Sequence, residues 1–185
     1  MRAALQSLNC LVLCLLLCRA ASVGAQYVYL DCDGDGVHSS ADVLSPVKAT
    51  TVTVYLNTQH DRDGKVQFCN SHTKSVGGGA PIEIFSYDLI LRVAEGTGTV
   101  DWGTYSDATG FEPLGKDDFN DTDFHTSYGM PVGTLDEKTA TLASGGRKLG
   151  TIGITPKSGA PVIVISTTSS LDPTYYTGFG TMCKA

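Results

Sequence analysis

Acidic side chains alternate with small residues in a short segment, Asp-Cys-Asp-Gly-Asp-Gly, that begins at position 31. Asp31, Asp33 and Asp35 occupy every second position, and Asp42 adds a fourth carboxylate further on. A hard cation takes about six to eight oxygen ligands, which carboxylates and carbonyls supply. Four carboxylates held this close together would repel one another strongly without a cation. The spacing therefore predicts a calcium site.

The segment 31–42 fits the signature of an EF-hand calcium loop, which has Asp at alternate positions, a glycine for the sharp turn and an acid at the twelfth position. Gly36 takes the turn position, and Asp42 takes the place where glutamate is more common. The predicted ligands are four carboxylates, one main-chain carbonyl and one hydroxyl: Asp31, Asp33, Asp35, Val37 (carbonyl), Ser39 and Asp42. We expect Ca²⁺ rather than Mg²⁺, because the ligands are numerous, all oxygen and carried by a flexible loop. The alternative is an Asp/Gly-rich hairpin turn, which leaves the register of the other aspartates unexplained.

Two other acidic segments carry weaker signals. In the first, Asn57, Asp61 and Asp63 could add oxygens to the same calcium or hold a second ion, or could only close a polar hairpin. The second runs from Asp117 to His125 and contains four aspartates. Glycoside hydrolysis would need two carboxyl groups at a set separation across a sugar bond, whereas a solvated acidic loop is far more common. We expect a protein that is not an enzyme, with a small secreted hydrolase as an alternative.

Aromatic residues and one asparagine suggest contacts with sugars. Trp102 with Tyr105, and Tyr175 with Tyr176, could form a flat platform for a sugar ring or could be ordinary core aromatics. Asn120 begins an Asn-Asp-Thr sequence, which matches the acceptor signature for N-glycosylation in a host that uses it.

The elements that must position these residues are strands, because apolar residues alternate with polar ones between turns rich in Gly, Asn, Asp and Pro. The predicted strands cover residues 27–30, 51–56, 82–93, 99–105, 148–155 and 161–166. The apolar run 162–165 predicts a strand that is covered on both faces. We also expect one short helix at 39–45, a polar loop at 116–128 and a Pro/Gly turn at 156–160. The pattern indicates an all-β fold, an antiparallel sandwich or jelly roll with little helix.

The first 25 residues predict a signal peptide. They have a basic start, an apolar stretch at 8–18 and small residues before position 26. The apolar stretch is shorter than the about 20 residues that a membrane-spanning helix needs. We expect cleavage after Ala25, which leaves a single domain, 26–185, that is secreted.

The charge of the expected mature chain limits its partners. Arg2 and Arg19 lie in the leader, so 11 basic and 19 acidic residues remain. Such a chain is repelled by phosphate backbones and anionic lipid heads. We therefore expect no nucleic-acid partner and no membrane insertion. Three cysteines remain as well, and we expect a disulfide between Cys32 and Cys69 with Cys183 left over, although three free thiols stay possible.

Two stretches downstream of the acidic loop resemble a known family. The loop itself resembles the calcium loop of dockerin modules, which also have Asp at the twelfth position, but only one such loop occurs here. "APIEIFSYDLILRVAEGTGTVDWGTYSDATGF" (80–111) and "RKLGTIGITPKSGAPVIVIS" (147–166) are similar to strands of cohesin domains. The chain from 27 to 181 therefore resembles secreted bacterial cohesin-like domains. The resemblance implies a nine-stranded jelly roll related to carbohydrate-binding modules, with a dockerin-like extracellular protein or a polysaccharide as partner.

Overall fold

The computed structural model of the protein describes residues 27–58, 82–130 and 146–183. The predicted leader lies outside these residues, as do Asp61, Asp63 and Cys69. The described residues form eleven strands and no helix. The strands are β1 Tyr27–Asp31, β2 Thr50–Asn57, β3 Ile82–Val93, β4 Gly98–Trp102, β5 Ser106–Asp107, β6 Glu112–Pro113, β7 Asp118–Phe119, β8 Asp123–Gly129, β9 Arg147–Gly159, β10 Ile163–Ile165 and β11 Gly178–Cys183.

The strands form two antiparallel sheets around one hydrophobic core. The first sheet has the order β1-β2-β9-β4, with β5 also paired to β9. The second has the order β10-β3-β8-β6, with β11 paired to β3 and β7 to β8. Side chains of both sheets meet in a single buried cluster, so the predicted all-β sandwich is confirmed. No helix in the described part of the chain is long and apolar enough to cross a membrane.

Strand alternation decides which residues fill the core. Val52, Val54 and Leu56 on β2 are at most 1% exposed, and Leu89 and Leu91 on β3 are fully buried. Successive side chains of a strand point to opposite faces, so these residues share the inner faces, as the sequence pattern predicts. Burying one such side chain contributes roughly 1.5–3 kcal/mol.

The predicted polar loop at 116–128 is wrong for its second half, which forms the buried strand β8. Phe124 is fully buried and Thr126 is 1% exposed. Asp123, one of the acidic residues that make the segment polar, is also buried. Its burial is possible because Arg92 on the neighbouring strand pairs with its carboxylate. The composition of a short segment cannot predict an ion pair with a residue on another strand.

The short helix predicted at 39–45 does not form. The chain makes only a turn, in which the Asp42 N–H donates to the Ser39 carbonyl at 3.3 Å. The Ala41 N–H donates to Ser39 Oγ at 3.0 Å, and the Ser39 N–H donates to the Asp42 carboxylate at 2.6 Å. Bonds of this kind between side chain and backbone compete with helix formation.

The predicted turn at 156–160 is also wrong, because β9 continues to Gly159 and pairs with β4 over this stretch. The chain turns at Gly159, where φ is +67° and a Cβ would lie 2.4 Å from the Thr97 carbonyl oxygen. The following strand is not covered on both faces as expected. This strand, β10, has three residues. Val164 within it is 39% exposed, and Val162, which precedes it, is 52% exposed.

Candidate metal centre

The acidic loop begins at the last residue of β1. Asp31 is 1% exposed, and the chain reverses over it at Gly34 and Gly36, whose φ values are +86° and +79°. Glycine adopts these values without a steric penalty. The Tyr29 hydroxyl donates to the Gly36 carbonyl at 3.0 Å and so fixes the turn to the sheet.

The carboxylate of Asp31 is the centre around which the loop wraps. Its Oδ1 accepts a hydrogen bond from the Gly34 N–H at 2.6 Å, and its Oδ2 accepts one from the Gly36 N–H at 2.9 Å. An ionised carboxylate has about four acceptor positions. Both oxygens therefore keep acceptor capacity for a further ligand.

Three of the predicted ligands converge. Asp31, Asp33 and Asp35 each offer a carboxylate oxygen, and these oxygens all lie within 4.8 Å of one another. The last two side chains are exposed, and each also accepts an N–H two residues further on, from Asp35 at 3.1 Å and from Val37 at 2.7 Å. No lysine or arginine in the described part of the chain forms an ion pair with the three carboxylates. Among the described residues, these three carboxylates therefore concentrate negative charge without a lysine or arginine partner.

Asp42 closes the loop instead of joining this group. Its Oδ1 accepts the Cys32 N–H and its Oδ2 accepts the Ser39 N–H, both at 2.6 Å. Burial would raise the pKa of Asp42, but these two amide bonds and the nearby His38 ring outweigh it, so the pKa lies below its ordinary value. The carboxylate is thus held in its charged form, with one bond on each oxygen.

The other predicted ligands lie on the returning half of the loop or away from it. Ser39 Oγ accepts the Ala41 N–H, and the side chain of Val37 is 60% exposed. Asn57 pairs with Tyr27 at the opposite end of β1 from Asp31. At about 3.4 Å per residue, this places Asn57 roughly 13 Å along the strand from the loop, so it does not add an oxygen to the group.

The residues present fit a hard cation, because every ligand atom in the group is a carboxylate oxygen. The neighbouring Cys32 carries a free thiol that packs against the core. Burial, and then the charges of Asp42, Asp31 and Asp33, raise the pKa of this thiol to about 11, so it stays protonated and is not a ligand. Cys32 forms no disulfide with another described cysteine, and Cys69, its expected partner, lies outside the described residues.

Three tyrosines on β1 and β2 form a cluster that the sequence pattern did not predict. Tyr27 and Tyr29 follow one another along β1 with ring centroids 5.7 Å apart, and Tyr55 on β2 stacks on Tyr29 at 5.2 Å and 13°. Stacked aromatic pairs across strands contribute about 0.5–1.5 kcal/mol. The alternation Tyr-Val-Tyr, set antiparallel to a strand with one tyrosine, was the signal that could have found this cluster.

Of the two interpretations left open for the aromatic pairs, the core interpretation is correct for Trp102 and Tyr105. Trp102 and Tyr105 are 8% and 3% exposed and belong to the core. Tyr175 stacks on the ring of His125, with centroids 3.8 Å apart and planes 12° apart. Only Tyr176, at 59% exposure, presents most of its ring to solvent.

A second buried carboxylate, which the sequence did not reveal, lies at the start of β8. Arg92 donates from Nε and Nη2 to the two oxygens of Asp123, each at 2.9 Å, and the Ser170 N–H adds a bond of 2.6 Å. Burial would raise the pKa of Asp123, but Arg92 and Ser170 lower it to about 2. The Ser170 N–H links the segment 166–177 to Asp123, and within this segment the Thr177 hydroxyl donates to the Ser166 carbonyl.

The remaining acids of the 117–125 segment have separate partners. Asp117 accepts the Thr126 hydroxyl at 2.6 Å, Asp118 accepts the Tyr175 hydroxyl at 3.4 Å, and Asp121 pairs with Lys157 at 3.1 Å.

The fold and the loop define an all-β sandwich with an acidic cluster at the end of its first strand. Comparison with protein-family models, with curated proteins and with solved structures finds no match to this chain.

Proposed function

We propose that this protein is a secreted, non-enzymatic recognition or adhesion module, a cohesin-like jelly roll whose acidic loop binds calcium. The observation that carries the calcium proposal is the group Asp31, Asp33 and Asp35, with three convergent carboxylates and no cationic partner among the described residues. The recognition role rests on the cohesin-like strands at 80–111 and 147–166.

A cation would resolve an electrostatic cost in the loop. Moving a carboxylate such as Asp31 out of water is unfavourable unless charge or hydrogen bonds compensate it. Two amide hydrogen bonds supply part of this compensation. Calcium would supply the positive charge, held by the Asp31, Asp33 and Asp35 carboxylates, with Val37, Ser39 and Asp42 as the other predicted ligands.

Such a site would fix the N-terminal strand. Among the described strands, β1 is at the edge of its sheet and has β2 as its one partner. A ligand that binds only the folded loop stabilises the fold by mass action, by about 2.7 kcal/mol at a hundred times its dissociation constant. Calcium would therefore act as a structural ion that secures β1 and the loop that follows it.

The test is a set of melting curves recorded with calcium, with magnesium and with a chelator. We expect calcium to raise the melting temperature, and the paired substitutions Asp33→Asn and Asp35→Asn to abolish that rise. Glu95→Gln with Glu112→Gln is the matched control, because it removes two exposed carboxylates from elsewhere on the surface. Equal responses of the two double variants to calcium would refute a site in the loop.

Exposed valines beside the loop support a protein partner. Val37, Val43 and Val47, which lie in and after the loop, are 60%, 69% and 87% exposed and offer apolar surface to a partner. If this segment docks a dockerin-like extracellular protein, Val43→Asp with Val47→Asp will prevent capture of that protein and leave the calcium response intact. Capture that is unchanged would place the docking surface elsewhere.

A polysaccharide is the second candidate ligand, and Tyr176 favours it. The exposed ring lies over Gly178, where a Cβ would be 2.5 Å from Cε2 of the ring. A ring held against the backbone in this way leaves one face open for a sugar. Retention of the protein on an insoluble glycan, lost in Tyr176→Ala but kept in Leu114→Ala, would support this candidate, since Leu114 is equally exposed at 58%.

A further inference from the structure

We infer that Asn120 is an acceptor for N-glycosylation, a modification site at the turn between β7 and β8. The acceptor signature is Asn-x-Ser/Thr with x other than proline, and Asn120-Asp121-Thr122 satisfies it. The other asparagines of the chain, at positions 9, 57 and 70, lack a hydroxyl residue two positions later. The sequence therefore offers a single acceptor, and its structure can be assessed directly.

The carboxamide of Asn120 is oriented by the turn. Its Oδ1 accepts hydrogen bonds from the Thr122 N–H at 2.8 Å, the Thr122 hydroxyl at 3.0 Å and the Asp123 N–H at 2.8 Å. Its Nδ2 has only a long contact of 3.5 Å to Ser170 Oγ, and the residue is exposed. The oxygen is thus held by the protein, while the nitrogen that would carry a sugar lies at the surface.

The turn is fixed to both sheets, so a glycan there would not disturb the fold. The Val93 N–H donates to the Thr122 carbonyl at 2.7 Å, and the Val100 N–H donates to the Asp121 carbonyl at 3.0 Å. Trp102 Nε1 donates to the Asn120 carbonyl at 2.8 Å. These bonds use main-chain carbonyls and Oδ1 of the carboxamide holds the turn, so a sugar on Nδ2 would replace only the long contact to Ser170.

The modification is a glycosyl transfer from a lipid-pyrophosphate-linked oligosaccharide. A bond forms between Asn120 Nδ2 and C1 of the first sugar, and the bond from C1 to the pyrophosphate oxygen breaks. The pyrophosphate leaves with the electron pair, and Nδ2 loses one proton. Thr122 supplies the hydroxyl that the signature requires, two residues after the acceptor.

The attached glycan would emerge beside a surface cavity of about 260 Å³ that Thr122, Asp123 and Ser170 help to line. It would therefore shield the Arg92–Asp123 pair and the segment that this pair holds. In nature the modification rests on export of the chain, which is part of the proposed function.

The test expresses the full chain in a eukaryotic secretory host, once with its own first 25 residues and once with a leader of established function. We expect the wild-type protein to run above its polypeptide mass and to return to it after treatment with an amide-cleaving glycosidase, which leaves Asp at position 120. Asn120→Gln and Thr122→Ala will lose the shift, whereas Thr122→Ser will keep it. Melting curves of the variants check that they fold.

Peptide mapping of the whole-cell and secreted fractions separates the outcomes. A wild-type chain that enters the secretory pathway behind the established leader and carries an unmodified Asn120 would overturn the inference. If only the chain with its own leader stays unmodified, the export part of the proposed function fails and the acceptor assignment stands. The calcium site is judged separately, from the melting curves.

Discussion

Two aspartates of this protein are equally buried but are compensated in different ways. Asp31 and Asp123 are each 1% exposed. Asp123 faces the guanidinium of Arg92 and completes its bonding with backbone and hydroxyl donors. Among the described residues, Asp31 accepts the N–H groups of Gly34 and Gly36 and has two further carboxylates nearby.

The difference lies in whether a cationic side chain of the protein neutralises the buried carboxylate. Burying a carboxylate costs several kcal/mol unless a partner offsets it, and removal of one partner from a buried pair is strongly destabilising. The pair at Asp123 is complete without any ion from solution. The three carboxylates around Asp31 have no lysine or arginine partner among the described residues, so the two regions should respond differently to calcium, to acid and to substitution.

The largest expected effect is the loss of the internal pair. Asp123→Asn leaves Arg92 without its charged partner and should lower the free energy of unfolding by about 3 kcal/mol, with or without calcium. Asp31→Asn, measured in chelator, should cost about 1 kcal/mol or less, because it relieves repulsion from Asp33 and Asp35 while it weakens one amide bond. Chemical denaturation of both variants provides the comparison.

The same two variants sharpen the contrast when calcium is added. Asp123→Asn should keep the full calcium response, whereas Asp31→Asn should lose it. A cost for Asp31→Asn in chelator as large as that for Asp123→Asn would mean that the loop is balanced internally and needs no ion.

Acid should weaken the fold through Asp123. Its pKa is about 2 in the folded protein against an ordinary value of 3.8. A lowered folded pKa stabilises the protein above the unfolded value, and this contribution is lost as the pH falls from about 4 to about 2. The difference corresponds to about 2 kcal/mol. Asp42, whose pKa is also lowered, acts in the same direction.

Denaturation curves between pH 5 and about pH 2 measure this dependence. The slope should be clearly smaller in Asp123→Asn than in the wild-type protein, and the part that remains should include Asp42. An identical slope in the two proteins would contradict the assignment of the acid sensitivity to Asp123.

The smallest expected effect concerns the link between the sheet and the loop. Tyr29→Phe removes the hydroxyl that donates to the Gly36 carbonyl and should cost about 1 kcal/mol, together with a weaker calcium response. Tyr55→Phe is the control, because it keeps the stacking with Tyr29 and alters no bond to the loop. Equal melting temperatures and calcium responses of the two variants would show that the hydroxyl does not position the loop.

The parts of the fold that could be predicted are those that depend on local pattern. The alternation at Val52, Val54 and Leu56 assigned β2 and its inner face correctly, and the spacing of the aspartates brought Asp31, Asp33 and Asp35 together as expected. Both features arise within a few residues, where a strand or a glycine turn fixes the direction of each side chain.

The parts that could not be predicted depend on partners distant in sequence. The segment that forms β8 was predicted to be a loop because it contains charged residues such as Asp123. The partner of Asp123, Arg92, is 31 residues away in sequence. Trp102 was open to two interpretations, a sugar platform or the core, and the sequence could not show that its indole N–H donates to the Asn120 carbonyl 18 residues away. Asn57 was a candidate for an additional calcium ligand, but the antiparallel register places it at the far end of β1 from Asp31.

A calorimetric titration of the chelator-stripped protein with calcium shows directly whether the loop binds the ion. We predict that the wild-type protein binds one calcium ion at the loop, that magnesium does not substitute for it at equal concentration, and that Asp31→Asn removes the binding. Absence of binding to the folded wild-type protein, or binding that survives in Asp31→Asn, would contradict the account.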